Sequence, residues 1–156
     1  MAPLITLVTV TLICRVVGSL GLSYVSTWPN ATAVGLAVMF VMTGTAHFVE
    51  PKRSQFIAMV PEPLPGPLLV AITGVLEIVA AVALLTPPAL LPVRQAAAWS
   101  SAALLIALFP ANVHAAQMGP ESGVPHTDLW VRTPIQAVFI AAALVIAFGG
   151  QADQAG

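Results

Sequence analysis

Charge is what this sequence has least of. Five Lys or Arg and six Asp or Glu are spread over 156 residues, 7% of the chain, against roughly 25% in a soluble domain. So little charge excludes an ordinary water-soluble surface, and lipid is the expected solvent for most of the chain. A net charge of −1 leaves no basic stripe, which excludes nucleic acid as a partner. The lone cysteine, Cys14, excludes an internal disulfide and a cysteine-based metal site. There is no CxxC, no haem-ligand pair on clear spacing and no glycine-rich nucleotide loop, so the chain cannot supply electrons alone. The opening MAPLITLVTVTLICRVV has no basic residues ahead of its apolar run and carries Arg15 inside it, which argues against a cleaved signal peptide.

What is there is apolar, at 58% hydrophobic residues and a mean hydropathy of +0.96. A spanning helix needs about 20 mostly apolar residues. Five segments qualify: 3–22, 31–49, 66–86, 93–117 and 130–149. Their apolar runs are continuous rather than alternating, so they read as helices and not strands. The breakers lie between them, at Trp28-Pro29-Asn30, at Thr86-Pro87-Pro88 to Pro92, and at 119–125. The stretch 51–65 reads as a short amphipathic helix lying in the interface, with Phe56, Ile57 and Val60 opposite Lys52, Arg53 and Gln55, followed by the rigid PEPLPGP turn. The expected fold is all-α, an integral membrane helical bundle. The last residues, 150–156, read as a flexible tail.

Five spans put the termini on opposite sides. The loops at 50–65 and 119–129 share side A with the N-terminus. Side A holds Lys52, Arg53 and Arg132, side B holds Arg94, and the positive-inside bias then places side A in the cytoplasm.

Polar groups from four helices gather in the side-A half: His47 and Glu50, Asn112 and His114, Arg132 and Gln136, with Glu77 deeper. Glu77 lies about ten residues into its helix, ~15 Å from its side-A end. An ionised carboxylate at that depth costs at least ~2.5–3.5 kcal/mol, so it must face the bundle interior, carry a proton or pair with a cation. It is either a structural carboxyl bonded to another helix, with Arg132 or Arg15 as partner, or a ligand or proton group.

His47 and Glu50 stand three apart and share a face, with Thr43 one turn earlier, if the helix continues that far. With His114 or His126 they would suit zinc or iron. There is no HExxH, however, and the preferred readings are an interfacial hydrogen-bond pair or a clamp on a ligand head group, with no metal. Lys52 and Arg53 read as contacts to lipid phosphates. Arg132, beside Thr133-Pro134, reads as a snorkelling residue at a helix start, and Trp28 and Tyr24 as interface anchors. Gln136 is a buried amide in need of partners. Pro110 frees a carbonyl that a side chain or water must satisfy. Glu77 and His47 are the catalytic candidates; His47, Glu50, Arg53, Glu77, Asn112, His114, Arg132 and Gln136 are the ligand-binding candidates.

These residues fall in an ordered set of short motifs. They are GTAHF at 44–48, F-x-x-M-V-P-x-x-L-P at 56–65, GVLE at 74–77, FPANVHAA at 109–116 and WVRTPIQ at 130–136. In order and spacing, over residues 35–147, the chain resembles the DoxX-like family of small integral membrane proteins. The resemblance implies a four-helix membrane core, here 31–149, with residues 1–30 as an additional N-terminal transmembrane helix and loop. Two departures stand out: His47 replaces the lysine of many members, and Thr32-Ala33 stands where the family has an arginine. The family's habitual orientation would put side A outside, opposite to the charge count. Its members are tied to thiosulfate–quinone oxidoreduction and to oxidative-stress complexes, while animal relatives act as membrane chaperones.

The resemblance therefore implies a membrane subunit of a redox system, with no intrinsic cofactor. Its polar pocket would hold a quinone, and it would need a membrane or redox protein partner in the inner (plasma) membrane of a bacterial cell. The other reading is a non-enzymatic accessory, scaffold or chaperone-like subunit of a larger membrane complex. A transporter is a weaker third, since no repeat pair is visible.

Overall fold

A computed structural model of the chain describes residues 1–87, 90–118, 122, 124 and 127–152. Pro88, His126 and the last four residues of the expected flexible tail lie outside the described residues. The helices are α1 (Ala2–Ser19), α2 (Trp28–Ala46), α3 (Lys52–Ala58), α4 (Gly66–Leu84), α5 (Leu91–Ala107), α6 (Phe109–Gln117) and α7 (Leu129–Ala152), with one 3₁₀ turn at Ser23–Val25. Among the described residues there is no strand. The fold is an all-α helical bundle.

Local sequence sets these boundaries. Proline occupies the first turn of α1, α2, α4, α5 and α6, where its missing N–H costs nothing. Thr27 caps α2 by accepting from the Asn30 amide at 3.4 Å. Several boundaries differ from the expected ones: α2 spans 28–46 and not 31–49, so Trp28-Pro29-Asn30 forms its first turn and is no breaker, because proline suits that turn. The segment 93–117 is divided at Leu108 into α5 and α6, because Pro110 cannot donate to the Ile106 carbonyl. The last helix starts ahead of Thr133-Pro134: the amides of Val131 and Arg132 both bond the Asp128 carbonyl, leaving Pro134 inside α7. It also runs on to Ala152, into the tail.

The packing order is a ring. α2 packs on α4, α4 on α5, α5 on α7 and α7 back on α2. α1 lies outside this ring against α2, and α3 covers the side-A end of α4. Leu36, Phe40, Leu84, Ala98, Ala143 and Ala147 are fully buried at the centre. The outer faces are apolar as well, with Leu68, Val79, Val82, Ile106 and Phe148 all more than half exposed. Five segments are long and apolar enough to cross a membrane, α5 and α6 together forming the fourth. A bundle with this exterior is membrane-associated.

In lipid, apolar burial does not drive helices together, so close packing of small residues and internal hydrogen bonds must do so. α2 crosses α4 closely at Gly44 and Gly74. A Cβ on Gly44 would stand 3.0 Å from the Gly74 carbonyl, and one on Gly74 would stand 2.7 Å from the His47 Cβ. Gly74→Leu should therefore push α4 off α2 and destabilise the bundle by about 1–3 kcal/mol. A lowered unfolding midpoint in detergent checks this, with Gly74→Ala intermediate between wild type and Gly74→Leu.

Candidate functional site

The α2–α4 crossing brings Glu77 beside the last turn of α2. The carboxyl is only 4% exposed, and Thr43 Oγ1 donates to its Oε2 at 2.5 Å. The same hydroxyl lies 3.1 Å from the Met39 carbonyl. The one hydroxyl proton is thus shared between the carboxyl and the carbonyl, with the shorter contact to Glu77. His47 completes the cluster. Its Nδ1 is 2.8 Å from the Thr43 carbonyl and 4.0 Å from Glu77 Oε2. A carbonyl can only accept, so Nδ1 holds a proton, and in the neutral ring Nε2 is left with its lone pair. The Phe56 ring of α3 lies 4.6 Å from the imidazole and holds α3 over the site.

The cation expected beside Glu77 is not there. Arg15 donates to the Ser26 and Val25 carbonyls and lies over the Trp28 ring at 5.0 Å. Arg132 donates from Nε to the Thr127 carbonyl at 2.9 Å and from Nη1 to Asn112 Oδ1 at 3.3 Å. The described partners of Glu77 are Thr43 and His47 instead.

A second polar chain enters from α6 and α7. Asn112 Nδ2 donates to Gln136 Oε1 at 3.4 Å, and Gln136 Nε2 donates to the Leu105 carbonyl at 2.5 Å. This is the partner that a buried amide needs, placed one residue before Ile106, whose helical donor is lost to Pro110.

Between the two polar groups lies a chamber of about 470 Å³. His47, Glu77, Asn112 and Gln136 line it together with Thr43; Phe40, Leu69, Leu105 and Phe139 supply part of its apolar wall. Arg132 lines an adjacent cavity of about 300 Å³ with Lys52 and Gln55.

The other candidates lie elsewhere. α2 ends at Ala46, so Glu50 does not continue the face of His47; it is exposed, at the start of α3, where the residue before Pro51 is poorly suited to a helix. The Ser54 hydroxyl and amide hold its carboxyl below the usual carboxylate range, with Arg53 at 3.8 Å adding to this. His114 is two residues beyond Asn112, about 200° around α6, and lines a neighbouring pocket with Pro61, Glu62 and Pro67 and not the chamber itself. Among the described residues no three His, Cys, Asp or Glu side chains group as metal ligands.

Sequence reasoning missed the role of Arg94. It reads there as a lone side-B charge, yet it is 2% exposed. Nη1 donates to Asn30 Oδ1 at 2.7 Å, and Nη2 to the Tyr24 hydroxyl at 2.9 Å and to the Thr86 carbonyl. Tyr24 in turn donates to the Leu85 carbonyl at 2.7 Å, so it is a bonded member of this cluster and not a free interface anchor. The signal was present in three polar residues, Tyr24, Asn30 and Arg94, all falling at side-B helix ends.

The molecule is thus a membrane-associated helical bundle with a largely apolar chamber, bordered by a few polar groups, toward one end. Residues 36–147, most of the chain and every chamber residue but Pro3, match the family described as a domain of unknown function (DUF8561), and the chain belongs to that family. No curated protein and no solved structure matches it.

Arg94→Leu should strand the Asn30 and Thr86 acceptors and lower stability by about 1–3 kcal/mol. Thermal unfolding of the purified variant checks this, and any ligand affinity of the chamber should be unchanged.

Proposed function

We propose that this chain is a quinone-binding membrane subunit of a redox system, related to the DoxX-like proteins whose motifs it resembles. The observation that carries the reading is the Glu77–Thr43–His47 cluster at one end of an otherwise apolar chamber. Binding sites for small apolar ligands take this form: hydrophobic walls with a few converging polar groups that fix orientation.

The residues fit a quinone head group. Such a ring offers two carbonyl acceptors on an apolar body. Glu77 Oε1 and His47 Nε2 have no described hydrogen bond, and both side chains line the chamber. A protonated Glu77 or imidazolium would donate to one carbonyl; Gln136 and Asn112, fixed by each other, border the opposite side. Phe56 and Phe139 would flank the ring and exclude water. When bound, the quinone supplies the two-electron chemistry, with electrons from a partner redox protein. Glu77 and His47 then hold or release the accompanying protons at Oε1 and Nε2.

One observation favours a second reading, an accessory or scaffold role in a larger membrane complex. α1 lies outside the family match and leaves Ile5, Leu12, Ile13 and Val16 more than half exposed, a face that a partner helix would suit.

Mass spectrometry of an organic extract from gently purified protein separates the two readings. The quinone reading expects a quinone at near-equal molar amount in wild type and at least a tenfold loss in Glu77→Ala, about 1.4 kcal/mol. Bulk lipid alone in both samples, with a protein partner co-purifying in fixed ratio, would leave the accessory role standing.

A further inference from the structure

A second hollow adjoins the chamber. Leu104 and Ala107 line the chamber and also line a groove of about 890 Å³ between α4 and α5 on the outside of the bundle. The groove passes Leu76, Val79 and Ala83 of α4 and runs along α5 from Ala107 past Ala103 and Ala96 to Val93. From Leu104 to Val93 it covers about 16 Å of helix, roughly half of a ~30 Å hydrocarbon core. Its hollow has a simple cause. Ala96, Ser100, Ala103 and Ala107 fall on one face of α5 and leave volume that larger side chains would fill. Ser100 brings the groove's lone side-chain hydroxyl, and no charged residue lines it.

On its other side the chamber shares Asn112 and Gln136 with the cavity lined by Lys52, Gln55, Thr127 and Arg132. Its surroundings are therefore graded: charged and polar toward side A, apolar toward the α4–α5 groove. A small symmetric molecule would make no use of this gradient. An amphiphile with a polar head and one long tail would.

We infer that the chamber's ligand is a long-tailed lipid, with its head group between Glu77 and Gln136 and its prenyl or acyl tail leaving past Leu104 and Ala107 into the α4–α5 groove. This rests on the quinone reading for the head group and adds the tail and its path. The tail would replace bilayer lipid along α5, so the groove selects for chain length and the chamber for head-group chemistry.

The test uses the full chain in nanodiscs and two probes, a long-prenyl benzoquinone and the same ring without its tail, with affinity expressed per ligand in the bilayer. Ala103 and Ala96 are exposed on the groove, so Ala103→Phe and Ala96→Leu fill it without entering the core. Wild type should bind the long-tailed probe at least tenfold more tightly than the tail-less ring. Either groove variant should remove that advantage, leave the tail-less affinity unchanged and keep the wild-type unfolding midpoint. Glu77→Ala should weaken both probes. Equal binding of the two probes, or a full tail advantage in both groove variants, overturns the tail path and leaves the head-group reading intact. Failure of wild type to bind either probe overturns both.

Discussion

A carboxyl group inside a bundle whose outside is apolar has to find its partners within the protein. Glu77 is that group, and the architecture around it follows from the requirement. Gly44 and Gly74 let α2 and α4 approach closely enough for the Thr43 hydroxyl to meet the carboxyl at 2.5 Å. The same approach seats His47 against the Thr43 carbonyl and fixes which ring nitrogen carries a proton. Phe56 then covers the imidazole from α3. A larger residue at either glycine would separate hydroxyl, carboxyl and imidazole together, since all three depend on one helix crossing.

The two ends of the bundle treat polar groups differently. At side B, Arg94 is consumed by structure: Tyr24, Asn30 and the Thr86 carbonyl surround it and tie the ends of α2, α4 and α5 together. At side A, polar groups are distributed around open volume, and two of them, Glu77 and His47, keep an atom with no described hydrogen bond. Arg94 also keeps one buried donor, Nε, without a described partner, so the two ends differ in space: only the side-A groups border a volume with apolar walls, which suits a ligand. That volume is the reason side A is proposed as the ligand end.

The break between α5 and α6 links the chamber to its surroundings. Pro110 interrupts the fourth span near the depth of the chamber, and Gln136 reaches across from α7 to the Leu105 carbonyl beside it. Below the break, α5 presents alanines to the lipid. The side-A edge of the chamber is thus bordered by amides and cations, and its α4–α5 edge by methyl groups. For a redox carrier this arrangement would keep protons and the tail on separate paths.

Composition and run length alone determined the class: low charge and five long apolar runs with prolines between them leave little besides a helical membrane bundle. The sequence also located the gathering of polar residues, because alternating spans assign His47, Asn112, Arg132 and Gln136 to one side, and burial cost singles out Glu77. Tertiary structure decided who meets whom. The helix ends at Ala46, so His47 turns in and Glu50 stays out; a 200° step on α6 sends Asn112 inward and His114 elsewhere. The partner of Glu77 is a threonine one helix away and not an arginine, and Arg94 is a buried clamp and not a lone surface charge. Apolar runs report the solvent of each helix, but rotation about the helix axis is set by packing against neighbours, and in lipid a weakly amphipathic span leaves little trace of that rotation in its sequence.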